Sequence, residues 1–91
     1  MNHFGAQMMR HWQAQRPLEY QELKEPEKYF TQLGQEIAEL VETRARSMAG
    51  TAPPNEGYLD RLQRLNSARL GAEGEVVREY LLQESEQKPV S

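Results

Sequence analysis

Ninety-one residues with 37% hydrophobic and 27% charged side chains allow a single domain with a thin core and leave no room for a second one. Eleven Lys and Arg against 14 Asp and Glu give a net charge of −3, which argues against a domain that holds nucleic acid by its overall charge and leaves only a local basic patch for that role. There is no cysteine, so disulfides, zinc–thiolate sites and thiol nucleophiles are excluded.

The N-terminal residues carry polar side chains throughout and form no secretory signal. No stretch approaches the ~20 apolar residues of a membrane span, and the expected location is the cytoplasm. A first helix is expected over residues 2–15. Asn2 is suited to cap it, and Phe4, Met8 and Trp12 recur every fourth residue along one face. Arg16-Pro17 ends it, because a proline pushes the residue before it out of the helical region. Leu18, Tyr20 and Leu23 then lie in an ordered connector too short for a helix of its own but apolar enough to lie against one.

Pro26 opens a second helix, with Glu27 at the positive end of its dipole, and the pattern runs to Ala49. Phe30, Leu33, Ile37, Leu40, Val41 and Met48 form its apolar stripe, with Arg44 snorkelling or ion-paired beside them. Gly50 supplies a left-handed cap, and the turn formers of residues 50–57 make a loop between long helices. The third helix is expected over 58–82, with Tyr58 or Leu59, Leu62, Leu65, Leu70, Val76, Val77, Tyr80 and Leu81 as its apolar set. Gly71 and Gly74 interrupt it, each costing roughly 1 kcal/mol relative to alanine, and either a close helix approach or a kink would account for them. Residues 83–91 read as a disordered C-terminal tail.

The fold class that follows is all-α: a small three-helix domain over residues 1–82, built on a long antiparallel helical hairpin that the first helix covers as a third layer. So small a core leaves a homodimer through residual apolar surface as a further option.

No chemistry is written in the sequence. His3 and His11 have no nucleophile partner, and the paired glutamates Glu36 and Glu39, and Glu73, Glu75 and Glu79, lack the Glu-x-x-His of di-metal bundles and read as solvated acidic faces. No phosphate-loop, dinucleotide or calcium-loop spacing occurs. No enzyme activity, metal or cofactor is expected. Arg44, Arg46, Arg61 and Arg64 fall within about four turns of the central loop and are candidate partner contacts, offset by Glu42, Glu56 and Asp60. Asn66 and Arg69, with Glu36 or Glu39 as acceptor, form a candidate buried polar lock, with partner binding as the rival reading. Trp12 is either core or a protein-binding anchor.

Asn55-Glu56-Gly57-Tyr58-Leu59, Arg64-Leu65-Asn66-Ser67-Ala68-Arg69 and Glu75-Val76-Val77-Arg78-Glu79 resemble the C-terminal half of small helical proteins of actinobacterial phages and integrative elements. His11-Trp12, Arg16-Pro17, Pro26, Phe30 and Leu33-Gly34 extend the likeness to the N-terminal half. The resemblance implies a mobile-element context and no established activity. By elimination and by that context the expected function is a non-enzymatic protein-binding accessory factor, regulating or inhibiting a nucleic-acid-processing or defence complex. The alternatives are a nucleic-acid-binding regulatory module that uses the arginines near the loop, and a self-assembling structural subunit.

Overall fold

The computed structural model describes residues 1–86, with side chains through Gln83. Among the described residues there are four helices and no strand: α1 His3–Gln15, α2 Pro17–Glu22, α3 Pro26–Ala49 and α4 Tyr58–Glu86. The all-α reading holds. Two boundaries differ from expectation: the connector after Pro17 winds into the short helix α2, and α4 continues through Gln83–Glu86, where a tail was expected. Residues 87–91, the rest of that tail, lie outside the described residues. None of the described helices is long and apolar enough to cross a membrane.

The chain forms two compact units, Met1–Ala38 and a second that begins at Glu39. In the first, α1 meets the N-terminal half of α3 at a pair of glycines. Asn2 caps α1 by accepting the Gly5 N–H at its Oδ1 and donates from Nδ2 to the Gly34 carbonyl, both at 2.9 Å. A Cβ at Gly5 would fall on the Phe30 carbonyl oxygen, and one at Gly34 would stand 2.8 Å from the Gly5 nitrogen, so only glycine permits this approach of backbones. Below the crossing, Phe4, Met8 and Trp12 are buried together with Phe30 and Ile37.

Trp12 stands edge-on to Phe30, with centroids 5.5 Å apart and planes at 81°, and the Arg16 guanidinium covers the indole at 4.2 Å. At 7% exposure Trp12 belongs to the core; the protein-anchor alternative for it is withdrawn, because its ring is consumed by α3 and Arg16. In α2, Tyr20 stacks on Phe30, while Leu18 is 75% exposed and does not pack as the connector reading expected.

The second unit is an antiparallel hairpin of the C-terminal half of α3 with α4. Its buried residues are Val41 and Ala45 on α3 and Ala68, Ala72 and Val76 on α4. The alanines let the helices come close, and a Cβ at Gly71 would meet the Met48 Cε at 2.8 Å. Gly71 thus marks a close approach, whereas Gly74 faces open space and nothing in the structure requires it. Gly50, with φ +66°, ends α3 as the left-handed cap that the sequence predicts.

Candidate interaction surface

The loop end of the hairpin is closed by Arg64. Its Nε and Nη2 donate to the two carboxylate oxygens of Glu56 at 2.7 and 3.0 Å, and its Nη1 donates to the Ala49 carbonyl at 2.7 Å. Ala49 is the last residue of α3, so the guanidinium satisfies one of the carbonyls that a helix end leaves without a partner. The hydrogen bonds from Arg64 hold the Glu56 carboxyl below its ordinary range against the cost of desolvation, and Glu56 raises Arg64 in turn. Of the sequence's candidate contacts, Arg64 is therefore spent inside the fold.

Arg44 is spent as well. It bridges from α3 to α4, donating from Nη2 to Glu79 at 3.0 Å and from Nη1 to Glu75 at 3.1 Å. Its hydrogen bond to Glu79 raises the guanidinium and lowers the Glu79 carboxyl. This is the paired arginine expected beside the α3 stripe.

The proposed buried lock is corrected. Asn66, Arg69 and Glu36 are all exposed, and Arg69 pairs with Glu42 at 2.6 Å, not with Glu36 or Glu39. The reason lies in the rotation of α4, which turns Ala68, Ala72 and Val76 inward and places Arg69 at the rim, within reach of the α3 side chain nearest its own level.

The same rotation overturns part of the expected apolar face of α4: Val76 is buried and Val77, Tyr80 and Leu81 are half-buried as expected, but the set from Tyr58 to Leu70 is exposed. Tyr58 and Leu59 are each 76% exposed and Leu70 68%, with Leu62 and Leu65 near 40%. At 100° per residue the stripe Leu59–Leu62–Leu70 stands roughly 120° around the helix axis from the buried Ala68–Ala72–Val76 row. Small residues win the interior because they shorten the interhelical distance, and the leucines are left outside.

Arg46 and Arg61 are exposed; Arg46 makes no ion pair with any described side chain, while the charge of Arg61 adds to that of Arg64 in lowering the Glu56 carboxyl. Arg46 borders a shallow groove on the hairpin, lined by Ala45, Ala49, Leu65, Asn66, Arg69 and Glu42. Its volume of about 180 Å³ is below the ~300–1,000 Å³ of small-molecule sites, and room for one or two side chains is what it offers. Among the described residues no three His, Asp or Glu side chains gather as metal ligands, and the His3 ring lies 4.0 Å from that of Phe4.

Sequence reasoning found Arg44, Arg46, Arg61 and Arg64 but missed the exposed leucine face and the Gly5–Gly34 crossing. The signal for the face was the i, i+4 pair Ala68 and Ala72, flanked by Val76, which defines a second stripe competing with the leucines. Compared with protein-family models, curated proteins and solved structures, the chain has no significant match to any of the three.

Proposed function

We propose that this chain is a non-enzymatic accessory factor that binds another protein, with the exposed leucines of α4 as the contact face. The observation that supports it is the outward placement of Leu59, Leu62 and Leu70 on a helix that has a separate, alanine-lined inner face. Large apolar side chains in such a row lose free energy when a partner removes them from water, about 25 cal/mol per Å². A mobile-element context, which the sequence resemblance implies, suits a small protein that regulates or inhibits a nucleic-acid-processing or defence complex.

Affinity capture from native host lysate, with and without nuclease, tests the reading. A stoichiometric protein that survives nuclease and is lost with Leu59→Ser and Leu62→Ser, while circular dichroism stays helical, supports it. A nucleic-acid module is the second reading, favoured by the exposed arginines Arg46 and Arg61 near the loop end of the hairpin. It requires binding that is lost with nuclease and falls with log[salt] at a slope of about −0.9 per duplex phosphate contacted. Bait recovered alone as a dimer marks self-assembly instead.

A further inference from the structure

We infer that the groove between the last turns of α3 and the first turns of α4 takes an acidic amphipathic helix of the partner, with one apolar side chain on its floor and a carboxylate between Arg46 and Arg69. This rests on the protein-binding reading above and gives that partner a chemistry. The floor is apolar and shallow: Ala45 is buried, Ala49 half-buried, and Leu65 is 40% exposed. A space of about 180 Å³ between two antiparallel helices is filled by a side chain from a third helix laid along them.

The rim is rich in donors and poor in acceptors. Arg46 has no carboxylate partner among the described residues, Asn66 is exposed, and Arg69 commits Nη2 to Glu42, the one acid of the lining. Two guanidiniums against one carboxylate make a local surplus of positive charge on a chain whose net charge is −3. A carboxylate fits this fork with charge-assisted hydrogen bonds. A phosphate backbone would meet the same arginines but gains nothing from the apolar floor or from the neighbouring leucines, whereas an acidic amphipathic helix uses the arginines and the apolar surface together.

A display selection on the full chain, with a library of helical peptides randomised on one face, tests the inference. Enriched peptides should carry Asp or Glu three or four residues from a large apolar side chain. Their affinity should fall on the order of ten-fold with Arg46→Glu, fall less with Arg46→Ala, and recover on Arg46→Glu when the peptide's acid is changed to Arg. Arg46 is exposed, so the variants should keep the wild-type melting curve, which circular dichroism verifies. Enriched peptides without an acidic bias, or acidic peptides indifferent to Arg46→Glu, overturn the inference. If such peptides are instead lost with Leu59→Ser, the protein-binding reading stands without the acidic helix; if nothing is enriched and lysate capture returns no protein, both fall. Displacement of the acidic peptides by a single-stranded oligonucleotide, with Arg46-dependent binding tighter than theirs, would likewise overturn it.

Discussion

Arg64 grips Glu56 with two parallel hydrogen bonds while its third nitrogen holds the Ala49 carbonyl, so one side chain ties the end of α3, the loop and the first turns of α4 together. The eight residues between positions 49 and 58 include two consecutive prolines and two backbone positions at φ +66°, Gly50 and Asn55. Such a loop has few ways to close, and the clamp selects one of them.

The clamp makes stability depend on acid. The Glu56 and Glu79 carboxyls are both lowered from 4.5 by their arginines, so their contribution is complete above that value and is lost as pH falls through their lower folded values. The melting temperature should therefore change little between pH 7 and about 5 on this account and drop below about pH 4.5. Glu56→Gln should melt below wild type at pH 7 and show a shallower acid drop; a drop identical to wild type would remove the clamp from the explanation.

Gly34→Ala should destabilise the chain by about 2–3 kcal/mol, because its new Cβ meets the backbone of Gly5, which cannot swing aside as a side chain can. Urea denaturation followed by circular dichroism measures it. A neutral result would mean that α1 does not cross α3 at these glycines.

Gly74→Ala should act in the opposite direction. It adds a methyl group in open space within an α4 that is helical on both sides, and removing a helical glycine should stabilise by roughly 1 kcal/mol. Gly71→Ala should gain less, since the flexible end of Met48 has to move first.

The facing of the helices is checked by a matched pair. Ile37→Val, at a fully buried position, should cost about 0.5–1.5 kcal/mol. Leu59→Ala, which deletes more carbon at a position 76% exposed, should stay within about 0.5 kcal/mol of wild type. Equal costs would mean that the leucine face of α4 is buried.

Much of the candidate surface was legible in part. Arg44, Arg46, Arg61 and Arg64 stand out by their clustering around the loop, but sequence spacing is blind to which of them find acids. Glu56 lies eight residues before Arg64, and Glu75 and Glu79 lie more than thirty after Arg44; only the hairpin brings the latter within hydrogen-bond distance. The Arg69 lock failed for the same reason: three glutamates, Glu36, Glu39 and Glu42, follow one another at helical spacing on α3, and the register decides among them.

Local rules were enough for the helices themselves. Asn2, Pro26, Gly50 and the proline-rich loop mark ends through backbone dihedrals and missing donors, which act within a few residues and so are written in the sequence. Which stripe of α4 turns inward was left to the tertiary structure. Leucine gains more from burial than alanine does, one helix at a time, but two helices that approach on Ala68 and Ala72 gain contact all along the stretch that they share in the hairpin, and that sum exists only once both are in place.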